Sequence, residues 1–192
     1  NSGRITIVSS LAEALEKFQP QTKATSLIAH IRKDSLLDDD NHVLEEITQA
    51  IINSIDGYDI WVEASSYMHF EWEETSASYI SHELDNDQDG LVNIRVVSIN
   101  DETIVLKVGA AVEVQVEANF NFSVRDSIDK DYVGMGGNVC TTTETYHTDI
   151  LLTLSDDLSG DFEDIEVLET IGHADFGEVE PDWTSEREDE GL

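Results

Sequence analysis

The sequence predicts an α+β fold: an N-terminal strand-helix and a helical pair, then a mainly antiparallel β-sheet, a meander of about five strands. Two changes of pattern carry this prediction. As far as Gly57, apolar residues recur three and four apart, the spacing of one helix face; beyond Gly90 they alternate with polar residues at period two. Between the alternating runs stand Asn, Asp and Gly, the residues that turns demand.

The elements follow in order. "RITIVSS" (Arg4 to Ser10) alternates as a short apolar strand and runs directly into "SLAEALEKFQP". There Ser10 and Glu13 form a capping box, Leu11, Leu15 and Phe18 make the apolar stripe, and Pro20 closes the helix. The helical pair comes next. "TSLIAHIRK" sets Leu27, Ile28 and Ile31 on one side, and "HVLEEITQAIINSIDG" carries Val43, Ile47, Ala50, Ile51 and Ile55 at helical spacing. Asp38, Asp39 and Asp40 precede that second helix, where negative charge suits the positive end of the helix dipole. Asp56-Gly57 ends it.

From Tyr58 to Leu84 the pattern is mixed. "DIWVE" and "HFEWE" are short, aromatic candidate strands, and "SASYISHEL" suits a helix or an edge strand. "LVNIRVVSIN" and "ETIVLKVGA", joined at Asn100-Asp101, then read as a hairpin. In "AVEVQVEANFNFSV", Val112, Val114, Val116, Ala118, Phe120, Phe122 and Val124 face one way and polar residues the other. That is a strand with one buried and one wet side. "GMGGNV" reads as a turn, and "CTTTETYHTDILLTLS" and "DFEDIEVLETI" as further strands. The segment from residue 172 is acidic and nearly patternless, a tail that Phe176 and Trp183 could pin to the surface. The expected organisation is a helical segment over 1–57, a β-rich domain over 58–171 and an acidic tail over 172–192.

Composition narrows the class of function. The 192 residues suffice for a real core, and a hydrophobic fraction of 40% argues for folding despite a net charge of −32. Ten Lys and Arg against 42 Asp and Glu argue against direct nucleic-acid binding, because such affinity comes mainly from cationic contacts with phosphate. The charge itself has two explanations: a solvated surface, or a DNA mimic that sets carboxylates where a duplex sets phosphates. No run approaches the roughly 20 apolar residues of a membrane helix. The single cysteine, Cys140, has no internal partner for a disulfide, so a cytoplasmic protein is expected. The opening at Asn1, straight into a strand, suggests a piece of a longer chain.

One stretch invites a metal. In "DNDQDGLVNIRV", Asp85, Asp87 and Asp89 alternate and Gly90 stands where an EF-hand calcium loop turns. Ca²⁺ wants six to eight oxygens, and the position of the usual bidentate Glu is held by Val96. The alternatives are a half-loop that borrows a distant carboxylate, and an Asp/Asn/Gly turn before a strand. His69 and Glu71 form a second candidate pair, since residues two apart on a strand share a face. "GMGGNV" lacks the lysine of a phosphate loop, the six histidines show no paired-ligand spacing, and Cys140 lacks a cationic setting. No catalytic residue is assigned.

The stretch "FNFSVRDSIDKDYVGMGGNVCTTTETYHTDILLTLS" (Phe120 to Ser155), with the opening "GRITIVSSLAEALEKF", resembles the C-terminal region of bacterial PIN-like proteins. Those carry a predicted ribonuclease domain followed by a β-rich extension, and the resemblance would cover Arg4 to Ile171. It implies that the metal-holding carboxylates of the nuclease lie upstream of Arg4 and that this chain is not itself catalytic. Asp126 and Asp129 fall in the matching motif, where an Asp-fixed turn suffices.

The expected role is therefore a non-catalytic accessory, regulatory or partner-binding module of a PIN-like nuclease, in a toxin or defence setting. Its partners would be the upstream nuclease domain, another protein, or a second copy of itself. The alternative is a free-standing acidic binding protein, either a DNA mimic or a calcium-binding module.

Overall fold

The structure is a computed structural model that describes residues 25, 28, 42–57, 59–100, 103–155 and 162–185. The predicted strand at Arg4 to Ser10, the helix after it, the Asp38 to Asp40 run and the last seven residues lie outside the described residues. Of the first predicted helix of the pair, Thr25 and Ile28 are described, and both are helical.

The second helix of the pair is α1, His42–Ile55. Ile47, Ile51 and Ile55, four apart, form its buried stripe. Asp56 extends the ladder by donating its N–H to the Ile52 carbonyl, and Gly57 follows it as the sequence predicted.

The rest is mainly β. Seven strands are described: β1 (Trp61–Ser65), β2 (His69–Leu84), β3 (Ile94–Ile99), β4 (Thr103–Arg125), β5 (Tyr132–Ser155), β6 (Phe162–Val167) and β7 (His173–Glu178). A four-residue helix, α2 (Asp182–Ser185), follows. The α+β expectation with its helical pair is thereby corrected to a mainly β fold with antiparallel sheet. The sheet is not a simple meander either. Its order is β2-β4-β5-β6, with β3 also on β4, and β1 and β7 form a separate parallel pair.

Two local misreadings and one open assignment lie in the β region. "ETIVLKVGA" and "AVEVQVEANFNFSV" are one strand of 23 residues, buried at every even position from Ile104 to Phe122. Alternation continues through Gly109, where a Cβ would collide with the Asp85 carboxyl group. "GMGGNV" is not a turn but the first part of β5. A Cβ on Gly137 would stand 2.9 Å from the Phe120 carbonyl oxygen, so this glycine marks close approach of two backbones. The true turn is "DSIDKD": the Asp126 N–H donates to the Asp131 carbonyl at 2.8 Å, and Asp126 Oδ1 accepts from the Ile128 N–H at 2.8 Å. "SASYISHEL" resolves as strand, continuous with "HFEWE" in β2.

The chain divides into two compact units: residues 1–50, 84–110 and 149–168 in one, 51–83, 111–148 and 169–192 in the other. In the first, β3 pairs antiparallel with β4 through Ile94↔Val108 to Ile99↔Ile104, and Asn100 and Thr103 close the turn with hydrogen bonds of 2.7 to 3.0 Å. Its β5 segment pairs with β6 from Ile150↔Val167 onward. Ile104, Leu106, Val108, Ile150, Leu152 and Leu154 are all buried there. Lys107 Nζ meets Asp149 Oδ2 at 2.7 Å, a partly exposed ion pair worth little in water.

In the second unit an aromatic core forms around Phe120. Its ring meets Phe70 at 5.7 Å and Phe176 at 5.4 Å, both edge to face, and Phe122 lies 6.4 Å away. Val62, Ala118 and Val179 complete the buried cluster. The segment from 172 onward, expected to be patternless, supplies β7. Its two expected anchors do hold: Phe176 packs on the core and Trp183 Nε1 donates to the Met135 carbonyl at 2.7 Å.

His82 lies partly buried in β2, its Nδ1 2.8 Å from the Tyr79 hydroxyl. Burial lowers its pKa below the ordinary 6.5. Between the folded value and 6.5 the unfolded chain binds a proton that the folded chain refuses, so unfolding takes up protons in that window. The stabilisation is complete above pH 6.5 and is lost as pH falls through the folded value. Denaturant titrations above and below pH 6.5 should show the native chain losing more stability on acidification than His82→Gln. Equal losses would mean that His82 charges as freely folded as unfolded.

Candidate functional site

The Asp-rich loop takes its shape from the strands beside it. β2 and β3 lie in succession along the same edge of β4: the Asp85 N–H donates to the Gly109 carbonyl, and Ile94 stands opposite Val108. Residues 85–93 are an excursion from that edge. The Asn93 N–H returns to the Asp85 carbonyl at 2.7 Å, Asn86 bridges Val92, and the Asp87 N–H reaches the Leu91 carbonyl at 2.7 Å. Gly90 takes the positive φ of +79° that the tip needs.

Within this loop the three aspartates have separate surroundings. Asp87 Oδ1 accepts from the Asp89 N–H at 3.0 Å and the Leu91 N–H at 3.1 Å, fixing the turn. Asp85 lies over Gly109, and Asp89 is exposed. Among the described residues, no group of three or more His, Cys, Asp or Glu side chains is placed to hold a metal. His69 and Glu71 stand 4.0 Å apart, both well exposed, and the His69 ring packs on Tyr132 at 4.6 Å. Cys140 is half-buried on β5, and burial raises its pKa, which favours the thiol over the nucleophilic thiolate.

A different place gathers chemistry. β1 and β2 together line an open cleft of about 620 Å³, within the size range of small-ligand pockets. From β1 come Trp61, Val62, Glu63 and Ala64; from β2 come Phe70, Glu71 and Trp72. The cleft has an apolar base, because Val62 is buried and Phe70 packs edge to face on Phe120. Its aromatic groups are exposed. Trp61 is 66% exposed, and its ring centroid lies 6.4 Å from that of Trp72 with the planes at 81°.

Glu63 and Glu71 line the cleft together with these rings. Glu63 Oε2 lies 3.0 Å from His173 Nε2 on the neighbouring strand β7, where Trp61 pairs with His173 and Glu63 with Asp175. Glu71 has its own imidazole neighbour in His69. The Glu63 carboxylate is thus oriented by a histidine, while Glu71 only lies near one, and both remain largely in water. Strand alternation explains part of the grouping, since Trp61 and Glu63 are two apart on β1 and share a face. "DIWVE" and "HFEWE" carried a signal for this site: each sets a tryptophan within two residues of a glutamate. Their meeting across the cleft carried none.

Large exposed aromatics are unusual enough to ask what they meet. An indole face offers a platform for flat or cationic groups, and a carboxylate beside it offers an acceptor. Together they make a surface suited to binding such a group.

No family model, no curated protein and no solved structure matches the chain. No helix among the described residues is long and apolar enough to cross a membrane.

Proposed function

We propose that this chain is a non-catalytic binding module whose partner is a protein with a cationic surface. The observation that carries the proposal is the cleft between β1 and β2, where exposed Trp61 and Trp72 stand beside Glu63 and Glu71. The net charge of −32 supports it further, because a field of one sign speeds encounter with a partner of the other. The resemblance to the β-rich region of PIN-like proteins adds a setting. A ribonuclease must keep a cationic face for RNA phosphates, and an acidic module attached to it would compete for that face.

The test is a binding titration against a basic nucleic-acid-binding protein, run at rising salt. Affinity should fall steeply, by a factor of roughly 10 or more, as salt rises from about 50 to about 200 mM. Labelled duplex DNA and single-stranded RNA should not bind at any of these salts. Retention of RNA by this chain would overturn the proposal, and so would failure to bind the basic protein at low salt.

A further inference from the structure

We propose that the cleft between β1 and β2 takes an arginine side chain from a basic polypeptide, the guanidinium seated against the indole rings and hydrogen-bonded to Glu63 and Glu71. This rests on the binding-module reading and goes further, because it names the group recognised and the residues that recognise it.

The geometry suits that group for three reasons. The walls are two indole rings at 81° to each other, so the cleft offers both a ring face and a ring edge in one place. A guanidinium is planar, delocalised and weakly hydrated, and it loses less than an ammonium when it leaves water to stack on an aromatic face. Glu63 and Glu71 line the same cleft, and a guanidinium donates in pairs to a carboxylate with a fixed fork geometry.

Orientation strengthens the case. His173 on β7 holds the Glu63 carboxylate from one side, and the pairing of Trp61 with His173 and of Glu63 with Asp175 keeps both on a hydrogen-bonded frame. Less side-chain freedom is then lost when a ligand docks. Charge selects among flat ligands. A sugar would use the same rings and could donate hydroxyls to Glu63 and Glu71, but it would gain nothing from the net charge of −32. A cation gains from all of them.

The experiment is isothermal titration calorimetry of the full chain with capped tetra-arginine, capped tetra-lysine and a neutral oligosaccharide at moderate salt. Tetra-arginine should bind roughly tenfold tighter than tetra-lysine, and Trp61→Thr or Trp72→Thr should weaken it by a similar factor. Threonine keeps strand propensity at these exposed positions, and circular dichroism checks that each variant is folded. Glu63→Gln with Glu71→Gln should also lose about tenfold, whereas Asp89→Asn with Asp129→Asn, an equal charge change elsewhere, should lose no more than about twofold.

Equal binding of the two peptides, with equal loss in both double variants, would overturn the arginine site while leaving a cationic partner standing. Absence of either peptide at low salt would overturn both. Oligosaccharide binding lost in Trp61→Thr, with no peptide binding, would replace the proposal with a carbohydrate site.

Discussion

Phe120→Ala should cost about 3–5 kcal/mol of folding free energy, the largest loss expected from a single side chain in this protein. Phe120 is 1% exposed, and Phe70, Phe122 and Phe176 all meet its ring within 6.4 Å. Truncation removes the transfer energy of the ring and leaves a cavity that three other rings cannot collapse into without losing their own geometry. A small domain has only about 5–15 kcal/mol in total, so the variant should approach the unfolding threshold. Equilibrium denaturant titration measures the loss directly. A change below about 1 kcal/mol would show that the aromatic cluster does not organise this unit.

Gly137→Ala should destabilise the protein by about 1–3 kcal/mol, against what propensity alone expects. Glycine inside a strand is costly, and alanine there should stabilise by about 0.5–1 kcal/mol. Here the added Cβ would lie 2.9 Å from the Phe120 carbonyl oxygen and 3.4 Å from Asn121 Oδ1. The first of these is backbone held in the sheet, which cannot rotate away as a side chain could. Relief therefore requires β4 and β5 to separate beside the Phe120 cluster. Gly134→Ala, in the same strand with open space around its Cβ, is the internal comparison and should be neutral or slightly stabilising. If both substitutions stabilise, the close approach of the two strands is not a constraint.

These two residues also show how much of the fold could be read from the sequence. Phe120 was legible: it sits in an alternating run, and every even position from Val112 to Phe122 is buried as the alternation requires. Val124 belongs to the same run, yet it is exposed, because it stands one residue before β4 ends at Arg125. Gly137 was not legible. Glycines grouped as in "GMGGNV" are the usual mark of a turn, and only the neighbouring strand reveals that Gly137 permits close packing.

The candidate site divides in the same way. Asp87 was legible as a turn residue, and its carboxylate does bind the backbone of its own loop. The cleft was only half legible. "DIWVE" and "HFEWE" showed aromatics beside carboxylates on two short strands, but their convergence also needs β1 to pair with β7 in parallel. That pairing joins Trp61 to His173 across most of the chain, and no local pattern encodes it.

The sequence by itself determined the period of α1 and of the β4 run, the buried face of each, and the excess of negative charge. Each of these depends only on the order of neighbouring residues along the chain. The tertiary structure alone decided that the fold is mainly β, that two apparent strands are one, that Gly137 lets two backbones approach closely, and that two tryptophans and two glutamates share a cleft. Those outcomes depend on which strand lies beside which, and pairing partners distant in sequence leave no periodic trace in either partner.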